Sequence, residues 1–347
     1  MTDPEPPAPA PAPSRARLGV ILAAIVGLAV ATGVIGWVGF RAVLTAVEII
    51  GAKGLVFLVI YTAVPATLLG TAWLVLAPPS PARRWRVFVI ARIVRDAGGD
   101  VLPFTQLGGY VIGARAAVLQ GISPATAAST TIVDVTTELI GQFGFTVIGV
   151  VMLAAKFGGS SARTTLIVET STGLVLAAVG LAGLVILQRR SSRLLERLAR
   201  RFAPALLAHV DDFGRAMDDV YRRSPGVMAS VVLHGIAWIS SGAGIWFALR
   251  FAGVEIRLLD VLAIESLVGA VRSAGFVAPM AVGVQEAAYG FIGPIFGLPA
   301  DMALAVSLIK RATSLTVGVP ALALWQTIEG RRLAALGRRP GVGSTEA

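Results

Sequence analysis

The sequence predicts an all-α polytopic membrane protein, and three observations carry that prediction. Hydrophobic residues make up 55 % of the 347 positions, charged residues only 14 %, and the mean hydropathy is +0.78, well outside the range of soluble domains. Several stretches of about 20 apolar residues are each long enough to cross a hydrocarbon core of roughly 30 Å as a helix. The arginines that produce the net charge of +10 stand in short runs beside those stretches, as cytoplasmic flanks of membrane helices do. The charge therefore does not call for nucleic acid. There is no cysteine and there are two histidines, His209 and His234, so thiolate metal sites and a histidine-rich metal centre are excluded. No metal, cofactor or catalytic residue is expected, and no phosphate-cradling glycine loop is present.

Taken in order, residues 1–17 are rich in Pro and Ala and read as a disordered tail. Leu18–Phe40 exceeds the apolar core of a signal peptide, about 7–15 residues, and reads as a retained first span. Further full spans are expected at Gly54–Ala77, Ala127–Ala155, Thr165–Leu187, Gly226–Phe251 and Met302–Trp325. Arg83, Arg84, Arg86, Arg92 and Arg95 place the flank after the second span inside. Arg189, Arg190, Arg193, Arg197, Arg200 and Arg201 do the same for the flank after Leu187, and Arg331, Arg332, Arg338 and Arg339 for the basic tail of residues 331–347. Both termini are then cytoplasmic, in a bacterial inner membrane. Residues 188–224 carry apolar residues at helical spacing on either side of Pro204 and read as two amphipathic surface helices.

Val87–Gln120 starts and ends inside, yet is too short for two crossings of about 20 residues each plus a turn. Broken by Gly98, Gly99 and Pro103, it reads as a re-entrant hairpin, which membranes tolerate when it is buried in protein or lines a cavity. Leu258–Phe296 starts and ends outside and is either a second hairpin or two tilted spans.

An offset of 176 residues superposes Gly99 on Gly275, Val101 on Val277, Pro103 on Pro279, Gly121 on Gly297 and Ala127 on Ala303. The unit so repeated, over about 54–155 and 226–328, is span, hairpin, span. The flanking charges make the two copies point in opposite directions. The expected architecture is thus an inverted-topology repeat of about six full spans plus two hairpins within residues 18–330, with span 165–187 and the amphipathic segment joining the halves. Such repeats place a substrate site near the midplane, where discontinuous helices meet.

Asp134, Glu138 and Gln142 recur every four residues and share one face of their span. Lys310 and Arg311 lie inside the last span, and Asp134 takes the repeat position of Lys310. Charges at such depth cost roughly 2.5–3.5 kcal/mol on insertion scales and need partners or a function. Arg115 is expected to face Asp134 or Glu138, and Glu265 or Glu286 to face Lys310 or Arg311. Pro103 and Pro279 are placed to start the returning arms of the hairpins, whose N-termini would favour an anionic group. Asp100, Gln106, Gly109, Arg272 and Gln285 would line the same zone. His234 reads as an interhelical hydrogen-bond donor.

The run Asp100-Val-Leu-Pro-Phe-Thr-Gln-Leu-Gly-Gly109, followed by Arg115, Gly121, Ala127, Ser129 and Asp134, resembles the lysylphosphatidylglycerol synthase transmembrane, or flippase-like, family. Pro279-Met-Ala-Val-Gly283-Val-Gln-Glu286, then Gly297, Ala303 and Arg311, resembles its C-terminal signature. The resemblance covers roughly Leu18–Gly330. The stretches 95–103 and 129–142 are most similar to a branch associated with hopanoid biosynthesis. Tyr110 stands where relatives often have an acid. The resemblance implies a lipid flippase or lipid-handling protein whose cargo is a hopanoid or an anionic phospholipid, with other lipid-biosynthesis membrane proteins as candidate partners. Nothing in the chain resembles the soluble aminoacyl-transferase domain that some relatives carry, so lipid lysylation is not implied. Two alternatives remain at this stage. One is an integral-membrane enzyme acting on a phosphorylated lipid, with Asp134 and Glu138 holding a divalent metal. The other is a non-catalytic scaffold of a lipid-synthesis complex.

Overall fold

A computed structural model describes residues 40–101, 106–156, 171–188, 207–274 and 283–337. Every regular element among them is a helix: α1 (Phe40–Leu76), α2 (Trp85–Val101), α3 (Gln106–Leu119), α4 (Pro124–Lys156), α5 (Ser171–Gln188), α6 (Leu207–Arg222), α7 (Ser224–Phe251), α8 (Leu258–Ala274), α9 (Val284–Ile295) and α10 (Ala300–Gly337). Five of these, α1, α4, α5, α7 and α10, are long and apolar enough to cross a membrane. They correspond to five of the six expected spans; Leu18–Phe40 lies outside the described residues, as does the first of the two amphipathic surface helices.

At 37 residues, α1 is longer than one crossing needs. Gly51 divides it, with φ +72°, a conformation that glycine adopts without a Cβ clash. Ahead of that bend, Ala42, Ala46 and Ile50 recur at four-residue spacing and bury one face against Ala248 of α7 and Ile309 and Ala312 of α10.

Each expected hairpin is a pair of short helices. α2 and α3 have 17 and 14 residues, α8 and α9 have 17 and 12, or roughly 18–26 Å each at 1.5 Å per residue. None reaches across a 30 Å core unaided. The tips of both pairs, with Pro103 and Pro279, lie outside the described residues.

The two halves share their element order: long, short, short, long in α1–α4 and again in α7–α10. They also share the turn that ends the second short helix. Gly121 (φ +98°) donates its N–H to Val118 while Ile122 donates to Ala117; Gly297 (φ +86°) donates to Pro294 while Leu298 donates to Gly293. Both are Schellman turns, and they stand at the offset of 176 read from the sequence. In each, the residue after the glycine, Ile122 or Leu298, is buried.

Packing crosses between the halves. α2 lies against α1 and α10, while α8 lies against α7 and α4, so each hairpin touches the last long helix of the other half. Small residues permit the closest approaches. A Cβ on Gly70 would meet Val89 Cα at 2.6 Å, and one on Gly141 would meet His234 Cβ at 2.9 Å. α6 packs Phe213, Met217 and Val220 against Leu76, Val133 and Val227, so its apolar face is covered by protein and is not free to lie on lipid. α5 exposes nearly its whole surface and is tied at its end by Gln188, which bonds Thr136 of α4 and Tyr221 of α6.

Candidate functional site

Helical spacing on α2 brings Arg92, Arg95 and Asp96 to one side, at i, i+3 and i+4. Asp134 and Glu138 of α4, four residues apart, meet them. Arg92 donates from Nε to Asp96 at 2.9 Å, from Nη1 to Asp134 at 3.3 Å and from Nη2 to Glu138 at 2.8 Å. Arg95 reaches Asp134 Oδ2 and Glu138 Oε2, each at 2.5 Å. The Arg95 guanidinium also lies 4.5 Å from the centre of the Tyr110 ring on α3, a cation–π contact. α3 comes this close because Gly109 and Gly113 lack side chains: a Cβ on Gly109 would meet the Arg95 carbonyl oxygen at 2.5 Å, and one on Gly113 would meet Arg95 Cβ at the same distance. Gly109 thus seats the arms of the hairpin on each other.

His234 of α7 completes this cluster. Its Nδ1 is 2.9 Å from the Ser230 carbonyl oxygen and its Nε2 is 3.6 Å from Asp134 Oδ1. A 2.8 Å hydroxyl–hydroxyl bond between Thr137 and Ser230 holds α4 and α7 together beside it.

The second half carries its own network. Lys310 of α10 donates to Glu265 of α8 at 2.7 Å and to the Tyr289 hydroxyl of α9 at 3.0 Å, while Tyr289 donates to Glu265. Arg311 pairs with Glu286 at 2.8 Å, and Glu286 also accepts the Gly283 N–H that opens α9. The expected facing of Glu265 and Glu286 toward Lys310 and Arg311 is what the geometry has. Gln285 lies in the first turn of α9.

Asp100 joins the halves. From the end of α2 it accepts Arg272 of α8 at 2.9 Å and the Ser314 hydroxyl of α10 at 3.2 Å. Gln142, although on the face of Asp134 and Glu138, turns instead to α8, donating to the Ser266 carbonyl at 3.4 Å. Gln106 opens α3, next to the tip.

Two expectations are corrected. Arg115 does not face Asp134 or Glu138; it pairs with Glu329 near the end of α10 at 2.7 Å and is 42 % exposed, because α3 turns that face toward the outer end of α10. Arg92 and Arg95 are not flank charges: they are buried, and only Arg83, Arg84 and Arg86 of that run are exposed. The sequence reading therefore missed Arg92, Arg95, Asp96 and His234 as members of the cluster, and Tyr289, Ser314 and Glu329 as partners. The i, i+3, i+4 pattern of Arg92, Arg95 and Asp96, with an acid four residues after an arginine, was a usable signal for the first three.

The donor atoms of Asp134, Glu138 and His234 lie within 4.8 Å of one another, a spacing that bears on the metal-dependent alternative. Both Glu138 oxygens and Asp134 Oδ2 already accept from two guanidinium groups. Two like unit charges about 4 Å apart repel by roughly 4 kcal/mol at an effective dielectric of 20, and a divalent ion doubles that for each arginine. The residues do not fit a divalent metal.

Residues 24–321 match the family described as the lysylphosphatidylglycerol synthase TM region. No curated protein and no solved structure matches the chain. With a family match over most of its length and five helices able to cross a membrane, the chain is a multi-pass membrane protein that belongs to the lysylphosphatidylglycerol synthase transmembrane-region family, which points to lipid metabolism or transport.

Proposed function

We propose that this protein moves an amphipathic lipid between the leaflets of the bacterial inner membrane, with a hopanoid or an anionic phospholipid as cargo. One observation carries the reading. Three ion pairs, Asp100–Arg272, Glu265–Lys310 and Glu286–Arg311, tie the first hairpin and the second hairpin to each other and to α10, and they are partly open: the Lys310 side chain is 29 % exposed. A cation that is neutralised within the protein and still reachable can take over an anionic headgroup, while the acyl or polycyclic tail stays in lipid against the apolar outer faces. Ionisable residues within spans mark substrate paths by default.

The matched Schellman turns at Gly121 and Gly297 and the shared element order support a repeat. The exposed arginines after α1 and at the end of α10 support an inverted one, with both termini cytoplasmic. Alternating exposure of the two hairpins would then move the headgroup. No phosphate-cradling loop is present, so a gradient or a partner supplies any driving force.

The test is transbilayer movement of a labelled hopanoid or anionic phospholipid in liposomes holding the purified protein, with Lys310→Ala alongside. Movement well above empty liposomes in the wild type, and loss of most of it in a folded Lys310→Ala, is the expected result. No movement of either lipid overturns the transport reading and favours a scaffold.

A further inference from the structure

The geometry points to the Asp134–His234 pair as a buried proton-binding site, holding one proton between Asp134 Oδ1 and His234 Nε2, through which lipid movement is coupled to protons. The coupling rests on the transport reading above; the proton site does not.

The Ser230 carbonyl, 2.9 Å from His234 Nδ1, can only accept, so Nδ1 carries a hydrogen. In the neutral ring Nε2 then presents a lone pair. It faces a carboxylate oxygen at 3.6 Å, and both atoms are fully buried with no hydrogen-bond partner. Two lone pairs opposed in a medium of low dielectric repel, and two unmet acceptors in the interior are costly. A proton on either atom turns both into a charge-assisted contact. Gly141 of α4 faces His234 Cβ, where an added Cβ would stand only 2.9 Å away, so the two helices are closely packed at the base of this side chain.

The ionisable groups around His234 are Arg92, Arg95 and Asp96 of α2, Tyr110 of α3, and Asp134 and Glu138 of α4. No other helix brings an acid within 4 Å of His234 among the described residues. Arg92 and Arg95 match Asp134 and Glu138, and the third carboxylate, Asp96, has a side chain 39 % exposed, so it is the unmet contact between Oδ1 and Nε2, not the count of charges, that places the proton.

The pair is also wired to the hairpins. Asp134 Oδ2, on the carboxylate that would share the proton, holds Arg92 and Arg95. The same α2 ends at Asp100, which binds Arg272 and Ser314 of the other half. Loss of the proton sets Asp134 against His234 and loosens the anchor of α2, so proton occupancy and hairpin position are linked.

Because there are two histidines, His209→Gln leaves His234 as the single ring for ¹⁵N NMR of the full chain in nanodiscs. We expect its nitrogens to report a one-proton titration with Nδ1 protonated throughout, and Asp134→Asn to shift that titration by at least a pH unit. In liposomes, movement of labelled anionic phospholipid should follow the same pH profile, and His234→Gln should flatten it. A ring that stays neutral at Nε2 at every pH, or whose titration ignores Asp134→Asn, overturns the proton site. So does tight binding of Zn²⁺ that is lost in His234→Gln, which would assign the pair to a cation. An unchanged pH profile in a folded His234→Gln overturns the coupling, with Asp134→Asn as the second variant should His234→Gln not fold. Absence of lipid movement at any pH refutes transport and coupling together, while the NMR titration still decides the proton site.

Discussion

Around Asp134 the side chains of Arg92, Arg95 and Asp134 are 4 %, 3 % and 0 % exposed, whereas in the second half those of Lys310, Arg311 and Glu286 are 29 %, 17 % and 25 % exposed. Both networks pair basic with acidic side chains inside apolar helices, and Asp134 and Lys310, which carry opposite charge, stand 176 residues apart, the offset read from the sequence. Their environments separate their roles. At the core of the sealed cluster Arg92, Arg95 and Asp134 are beyond the reach of a headgroup, so their charges must be met from within and hold α2 to α4, while Asp96 and Glu138 at the rim are 39 % and 19 % exposed. In the more open network water or a ligand can substitute, and the same pairing is reversible. A charged residue in a span is therefore informative about contact with cargo only once its access is known.

The largest expected effect that would break this contrast is on stability. Asp134→Ala removes one of the two carboxylates that the buried Arg92 and Arg95 share, leaving Glu138 as the only acceptor common to both guanidiniums, and should cost about 3–5 kcal/mol, read by thermal or denaturant unfolding in detergent. Arg311→Ala, with a partner a quarter exposed, should cost no more than about 1 kcal/mol. Equal losses would mean that the two networks are alike. A middle-sized effect sharpens the picture of the sealed side. Gly141→Val places atoms where His234 Cβ already stands 2.9 Å away and should cost about 1–3 kcal/mol by overpacking, and an equally stable variant would show that α4 and α7 can separate.

The smallest effect lies outside both networks. Asp260, where the second hairpin begins, is held below the usual carboxylate range by the hydrogen bond from Arg257, helped by Lys156 against the opposing effect of burial. Its folded value is depressed, so its contribution is present above the unfolded value of about 3.9 and is lost as pH falls through the folded one. Because Arg257 is mostly exposed, the amount is no more than about 1 kcal/mol. Asp260→Asn should lower the melting temperature slightly near neutrality and leave it unchanged well below pH 4, where the wild-type contribution is already lost, so that the decline with falling pH is slightly flatter.

Much of the fold was legible from local features. The five described spans, the paired short helices at Val87–Gln120 and Leu258–Phe296, and the glycines that end the second arm of each pair could all be read from apolar run length, Gly/Pro punctuation and the 176-residue offset. The candidate site was legible in part. The residue types that would need partners were identifiable because charge in an apolar run is costly wherever the run packs, and the pairings of Lys310 and Arg311 were anticipated. Arg92 and Arg95 were misread because a basic residue after a span looks the same in sequence whether it ends in the headgroup region or turns inward. Arg115 was misread because the rotation of α3 about its own axis is set by Gly109 and Gly113 packing on α2.

By itself the sequence determined that the chain is a helical membrane protein, which stretches hold the five described spans, and which charged residues would have to be accommodated among them. Those are properties of segments, governed by hydropathy and helical period. Only the tertiary structure decided which carboxylate each arginine meets, that His234 closes the first cluster, that Asp100 joins the halves, and which network is sealed. These depend on the rotation and spacing of helices far apart in the chain, where a turn of one residue, about 100° on a 3.6-residue helix, moves a charge from lipid or water into the interior.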